Sequence, residues 1–174
     1  MAEDKKIETN EDGQKQIGLN AQYLKDSSFE SPKAPASIFN TKERPNIDVN
    51  LDVKAQPVGE NMFEAALVIN ATAKNAEEEI IFIAEVTYAG VFTLINVPDE
   101  EKEPALLIYC PNLIFPFARR IISDLTRDGG FPPLMLDPID FAGLYAQRKS
   151  GENAGSEKTN AKGKKKDVKK EAMN

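Results

Sequence analysis

Apolar and polar residues alternate with a period of two in four stretches of this sequence, and this pattern constrains the fold more than any other feature. It is clearest from Ile47 to Ala55, where every odd-numbered residue is apolar and the residues between them are Asp, Asn, Asp and Lys. Because successive side chains of a strand point to opposite faces, the segment predicts a strand with one buried and one solvated face.

Three further strands are expected around this one. Residues 62–73 alternate in the same way after turn-forming residues 56–61, and residues 79–88 are apolar on both faces, which is typical of a central or doubly covered strand. Gly90 is expected to interrupt that strand, and an extended continuation over residues 91–97 stays open. Residues 26–32 have the composition of a loop. A short first strand precedes them, with one face formed by Ile17, Leu19, Ala21 and Tyr23.

The apolar spacing becomes helical after residue 110. Residues 98–104 are expected to form an acidic loop, and Pro111 suits the first turn of a helix because its missing N–H has no intrahelical partner there. Gly129 and Gly130 are expected to end this helix. A last helix is predicted from Asp137, as its N-cap, to about Gly151. The main helix has two apolar rows: Leu113, Phe117, Ile121 and Leu125, beside Ile114, Ala118 and Ile122.

Four antiparallel strands followed by two helices predict an α+β domain. Its expected limits are residues 16–149. Residues 1–15 and 150–174 are charged and lack periodicity, so both segments are predicted to be disordered.

The composition lacks several residue types on which catalytic sites commonly depend. The chain has no histidine and one cysteine, Cys110, which excludes the commonest general base, an internal disulfide and a cysteine-pair metal site. We therefore expect no enzyme activity, no metal and no cofactor, and a buried structural thiol at Cys110. Residues 1–12 lack the apolar stretch of a secretory signal, and the apolar run 105–110 is too short to cross a bilayer. An intracellular protein without stable membrane insertion is expected.

Charge is distributed unevenly along the chain. Residues 148–174 carry nine basic and four acidic side chains, which leaves 13 basic and 24 acidic ones in residues 1–147. Such an acidic body argues against nucleic-acid binding and suits a basic protein partner. The lysines of the tail, including Lys164, Lys165 and Lys166, could contact nucleic acid or anionic lipid, but a solubilising tail is the preferred interpretation.

Several segments resemble one known family, the SecB chaperones of bacterial protein export, over roughly residues 16–147. The most distinctive is YCPNLIFPFAR at residues 109–119, and GFPPLMLDPIDF at residues 130–141 is similar to the family's inter-helix loop and last helix. YLKDSSFESP at residues 23–32 resembles its first strand and the turn that follows, and FIAEV at residues 82–86 with GVF at residues 90–92 resembles its fourth strand. Two features depart from the family pattern: Ala89-Gly90 stands where two glycines are expected, and the Lys-rich tail is longer than expected.

The resemblance implies a fold and a function. The expected fold is a four-stranded antiparallel sheet packed with two helices, assembled as a homotetramer that is a dimer of dimers. The implied function is that of an ATP-independent cytoplasmic holdase, which keeps unfolded precursor proteins competent for translocation and delivers them to the ATPase SecA.

Two surfaces are implied as well. An apolar groove for unfolded polypeptide is expected to involve Phe39, Phe63, Phe82, Phe92, Phe131, Met135 and Leu136; ordinary core packing is the alternative for these residues. The loop of residues 131–136 is the favoured part of this groove, because its apolar residues lie outside regular structure. An acidic face for the basic end of SecA is expected to involve Asp26, Glu30, Ile83 and Glu85, with a merely solvated sheet face as its alternative.

Two other functions stay open from the sequence. A chaperone of the same fold could serve a toxin–antitoxin pair instead of general export. A small-molecule-binding domain or an enzyme could use carboxylates such as Asp137 and Asp140, although helix capping is a sufficient reason for both.

Overall fold

The protein contains an antiparallel four-stranded sheet with its longest helix packed on one face, as seen in a computed structural model that describes residues 13–39 and 44–151. The strands are β1 (Gln16–Glu30), β2 (Asn46–Gly59), β3 (Met62–Lys74) and β4 (Ile80–Ile95), in the spatial order β1-β4-β3-β2. This confirms the predicted α+β class. The predicted disordered segments lie largely outside the described residues.

The two faces of the sheet differ as the alternation predicts. The inner face carries the buried residues of β3 and β4, among them Leu67, Ile69, Phe82 and Val86. The outer face carries the residues between them, and Glu85 on it is exposed. β4 continues through Gly90, where an interruption was expected. A Cβ atom at Gly90 would lie 2.8 Å from the Phe92 ring, so glycine permits this close approach within the strand.

The β2–β3 connection is tighter than expected. β2 extends to Gly59, which leaves Glu60 and Asn61 as a two-residue turn in which Asn61 has a φ of 55°. Asparagine tolerates the left-handed region, which such hairpin turns require.

β1 is longer than predicted, and some of its side chains lie on the opposite face of the sheet from the one predicted. Its register against β4 shifts between Leu19 and Ala21 and again between Leu24 and Asp26. Each shift adds a residue and reverses the alternation, so Ala21 and Tyr23 lie on the outer face and do not share the inner face with Leu19. Residues 26–30, expected to be a loop, form the end of the strand because they pair with residues 87–83 of β4.

The residues between β4 and the main helix are helical, so the predicted acidic loop is wrong. Helix α2 (Asp99–Pro104), a π-helical turn (Ala105–Tyr109) and helix α3 (Cys110–Asp128) follow one another without a break; a short helix α1 (Ala36–Phe39) lies earlier, between β1 and β2. The acidic residues of 99–101 occupy the first turn of α2, where negative charge is favourable to the helix dipole.

α3 packs one of its two apolar rows on the sheet. Ile114, Ala118 and Ile122 are fully buried, whereas Leu113 and Phe117 of the neighbouring row are each 39% exposed. Helix Asp99–Asp128 is the one helix of the described residues that is long and apolar enough, by length and composition, to cross a membrane. A core helix packed on a sheet meets the same criterion, and α3 is such a helix.

Residues 138–151 belong to a second compact unit. Its helix spans residues 141–151, so the expected start at Asp137 is wrong. The cap is Asp140, whose carboxylate accepts the N–H of Gly143 at 3.0 Å. Gly151 is still helical, and residues 152–174 lie outside the described part of the chain.

A buried carboxylate ties the strands together on the outer face. Glu64 of β3 is 7% exposed and accepts hydrogen bonds from Lys25 Nζ at 2.7 Å, Gln56 Nε2 at 3.1 Å and the Tyr23 hydroxyl. Lys25 and Tyr23 belong to β1, which is separated from β3 by β4, so their side chains cross β4 to reach Glu64. Tyr23 is paired with Ala89 of β4, a small residue. The hydrogen bond from Lys25, then that from Tyr23, holds the pKa of Glu64 below its usual value of 4.5.

We predict that Glu64→Gln lowers the free energy of unfolding by about 1–2 kcal/mol at neutral pH, because a buried charge-assisted network is lost. A carboxyl group with a lowered pKa stabilises the fold above its unfolded pKa, and this contribution is lost as pH falls through the folded value. The difference between wild type and variant is therefore expected to shrink below about pH 4.5.

Urea denaturation at fixed protein concentration over a pH series measures this difference. The matched control is Glu79→Gln, which breaks an exposed ion pair with Lys33 and is expected to change stability less. A pH-independent difference between wild type and Glu64→Gln would contradict the assigned role.

Candidate functional site

Three aromatic rings meet at one end of the inner face. Phe29 comes from the end of β1, Phe82 from the start of β4, and Phe131 from the loop after α3. Their ring centroids are 5.6 Å (Phe29–Phe82), 6.2 Å (Phe29–Phe131) and 5.0 Å (Phe82–Phe131) apart. At these distances aromatic rings stabilise one another, so the cluster fixes the loop against the sheet.

An open, largely apolar cavity of about 470 Å³ adjoins this cluster. Its walls come from the β1–β2 connection, the starts of β2 and β4, and the loop after α3. A cavity of this size accommodates one or more large apolar side chains. The lining residues are Ser37, Arg44, Pro45, Ile47, Ile81, Phe82, Phe131, Pro132, Pro133 and Leu134.

The loop of residues 131–134 is fastened to the last turns of α3 through Thr126, which is fully buried. The Phe131 N–H donates to the Thr126 carbonyl at 3.0 Å, and the Leu134 N–H donates to Thr126 Oγ1 at 2.9 Å. The same hydroxyl lies 3.1 Å from the carbonyl of Ile122 and 3.0 Å from that of Ser123, and donates to these helix carbonyls.

The structure brings two of the seven predicted groove residues, Phe82 and Phe131, to the cavity wall. Phe63 and Phe92 are paired with each other, and Phe92 lies ten residues from Phe82 along β4, or about 33 Å. Leu136 is buried, and Phe39 is 81% exposed, neither of them at the wall.

Met135 is not part of the cavity wall either. It is 61% exposed, and its Sδ accepts a hydrogen bond from Ser123 Oγ at 3.4 Å. Leu134 lines the wall and belongs to the apolar loop of residues 131–136 that the sequence favoured, although it is not among the seven residues named. The sequence prediction missed the wall residues Ile47 and Ile81. Both lie near the starts of predicted strands, but the sequence gives no signal that they meet this loop.

The four residues predicted for the acidic face do lie together, on the outer face of β1 and β4. Glu30 is paired with Ile83, and Asp26 and Glu85 occupy neighbouring rows of the same ladder. All three carboxylates are exposed and Ile83 is partly exposed, so an apolar side chain lies among solvated negative charges. Asp48 of β2 extends this face, because it is paired with Thr72, which is paired with Ile83.

The groups considered for chemistry have structural roles. Burial raises the pKa of Cys110 to about 12, which leaves the thiol protonated and a poor nucleophile at neutral pH. Asp140 caps a helix. Among the described residues, no three His, Cys, Asp or Glu side chains are grouped as metal ligands would be.

The fold and these two surfaces define a class, an α+β domain with an apolar cavity on one side of its sheet and an acidic face on the other. Comparison with known proteins identifies the family. The sequence matches the family described as "Preprotein translocase subunit SecB" over residues 10–152, and the chain belongs to that family of export chaperones.

Individual relatives agree with this assignment. The chain is 55% identical over 130 residues to "Protein-export protein SecB" of Maricaulis maris, a match that covers 75% of each chain. It is 51% identical over 132 residues to the protein of the same name from Rhodopseudomonas palustris, covering 76% of this chain and 83% of the relative.

A solved structure confirms the SecB-like fold. It is a SecB-like chaperone of Mycobacterium tuberculosis in complex with a peptide of the antitoxin HigA1. The likeness has a TM-score of 0.59 with 16% sequence identity and covers 71% of this chain and 90% of that one. At this identity the likeness concerns the fold alone.

Proposed function

We propose that this protein is an ATP-independent holdase of the bacterial cytoplasm. It binds unfolded precursor proteins, keeps them competent for translocation and delivers them to SecA. The observation that carries the proposal is the open apolar cavity beside Phe82 and Phe131, in a chain of the SecB family.

The cavity suits a client that is unfolded and variable in sequence. Apart from Ser37 and Arg44, its walls are contributed by prolines, aromatic rings and aliphatic side chains, which bind apolar groups through burial without demanding one partner geometry. The walls need no rearrangement of a packed core, because the cavity is already open. Phe39 and Met135, both exposed, supply further apolar area for a chain that extends past the cavity.

The acidic outer face suits SecA as the second partner. Asp26, Glu30 and Glu85 are exposed and share one face, which attracts a basic segment, and Ile83 among them offers an apolar contact. Since exposed charges are screened by salt, the affinity of this surface is expected to fall as ionic strength rises.

A homotetramer, arranged as a dimer of dimers, is proposed for the assembly. Part of the inner side is apolar and uncovered: Leu19 and Leu24 of β1 and Leu113 and Phe117 of α3 are all exposed. Gln22 points to the same side, and its buried Oε1 has no hydrogen-bond partner within the described chain. Covering this surface with a second copy removes apolar area from water and offers Gln22 a donor.

The client prediction concerns Leu134, which lines the cavity without being fully buried. Leu134→Asp places a charge at the wall and is expected to weaken binding of an unfolded client by about tenfold or more. Fluorescence anisotropy with labelled, reduced and carboxymethylated α-lactalbumin, without ATP, measures the affinity. Val58→Asp, at an exposed position of β2, is the matched control. Equal affinities of the two variants would refute the assignment of the cavity.

The SecA prediction concerns charge. The combined variant Asp26→Asn, Glu30→Gln, Glu85→Gln is expected to weaken SecA binding by about tenfold at low salt and to leave client affinity unchanged. Surface plasmon resonance at several salt concentrations measures both affinity and its salt dependence. Glu100→Gln, in α2, is the control. Client binding without any SecA binding in the wild type would favour the alternative of a toxin–antitoxin chaperone.

The assembly prediction concerns the exposed row of α3. Sedimentation velocity at micromolar concentration is expected to show a tetramer for the wild type. Phe117→Asp is expected to give a smaller species, because a desolvated charge opposes burial of the row. Glu100→Asp serves as a control that leaves this row unchanged, and a wild-type protein that sediments as a monomer would contradict the proposed assembly.

A further inference from the structure

The backbone donors of the cavity loop converge on one residue. Residues 131–134 are Phe, Pro, Pro and Leu, and proline has no N–H. The two N–H groups of this segment, those of Phe131 and Leu134, both donate to Thr126. Thr126 thus accepts every backbone N–H hydrogen bond of the segment that forms one wall of the cavity.

The two bonds differ in what they require of the sequence. The Phe131 bond to the Thr126 carbonyl and the Gly130 bond to the Arg127 carbonyl, both 3.0 Å, end α3 in the manner of a Schellman motif, with Gly130 at a φ of 87°. Any residue at position 126 provides that carbonyl. The 2.9 Å bond from Leu134 requires a side-chain acceptor at position 126, which the Thr126 hydroxyl oxygen supplies.

The hydroxyl is itself fixed in place. It donates to the carbonyls of Ile122 or Ser123 in the preceding turn and is fully buried, so its lone pairs have a defined direction. Its oxygen is therefore held as an acceptor for the N–H of the residue that directly follows the two prolines. Leu134, whose N–H it binds, lines the cavity.

We propose that Thr126 is a positioning residue for client binding: its hydroxyl holds Leu134 and the Pro132–Pro133 wall in the client-binding arrangement before a client arrives. The proposal rests on the proposed function of the cavity. Thr126 is buried and does not line the cavity itself, so it acts through the loop. A loop ordered in advance loses less conformational entropy on binding, which appears as higher client affinity.

The test compares Thr126→Val, which keeps shape and removes the hydroxyl, with Thr126→Ser, which restores it. In the full-length protein Thr126→Val is expected to bind carboxymethylated α-lactalbumin about five- to tenfold more weakly, with SecA affinity unchanged, and Thr126→Ser to regain most of the wild-type affinity. Thr93→Val is the matched control, since it removes a buried threonine hydroxyl that pairs with Asn20 Nδ2 at 2.6 Å near the far end of the sheet.

Amide hydrogen exchange supplies a readout that does not depend on clients. The Leu134 N–H is expected to be protected in the wild type and in Thr126→Ser, and to exchange faster in Thr126→Val. Rapid exchange of this amide in the wild type would overturn the proposal even if Thr126→Val did not fold.

Leu134→Ala distinguishes the client-binding role of the cavity from the positioning role of Thr126. If Leu134→Ala binds the client as tightly as the wild type, the cavity is not the client site and the proposed function of this surface fails. If Leu134→Ala weakens binding while Thr126→Val does not, the cavity keeps its role and the positioning role of Thr126 is refuted.

Discussion

The packing of α3 against the inner face of the sheet, where several buried residues are small, is the contact on which the rest of the structure depends. Ala65, Ala71 and Ala84 are fully buried on the inner face, and the buried row of α3 contains Ala118 between two isoleucines. Small side chains on both partners let a helix lie close to a sheet, and dispersion contacts are gained along its length. Gly129 extends this closeness to the helix end, where a Cβ atom would lie 2.2 Å from the Phe29 ring.

Because α3 packs on one face of the sheet, the described residues present two kinds of surface. Apolar side chains meet where α3 ends and its loop turns back, and the cavity opens there. The other face keeps its carboxylates in water, apart from Glu64, whose charge is matched by Lys25. Apolar burial tolerates variation in a client sequence, whereas opposed charges favour one basic partner and respond to salt. The two binding reactions can therefore be altered independently by substitution.

The sequence predicted those elements whose pattern is uninterrupted. Strands β2 to β4 and helix α3 follow from periodicity. β3, β4 and α3 each bury one side along their length, whereas Val53 is the one buried residue of β2. β1 was predicted as a strand, but its length was underestimated and Ala21 and Tyr23 were placed on the wrong face, since each of its two register shifts reverses the alternation. The acidic residues 99–104 were predicted as a loop because of Pro98 and Pro104, although acidic residues suit a first helical turn.

The site was less predictable, because a sequence carries no register between strands. Nothing in the order of residues separates Phe82 from Phe92, which the sheet places at opposite ends. The importance of Thr126, in contrast, is indicated by the sequence. Ile114, Ala118, Ile122 and Thr126 recur every four residues, so a polar residue ends an otherwise apolar buried row. A buried hydroxyl requires partners, and only part of its capacity can be met by its own helix. The remaining lone pair has to bind a donor from a neighbouring segment, and the loop that contains the two prolines supplies that donor.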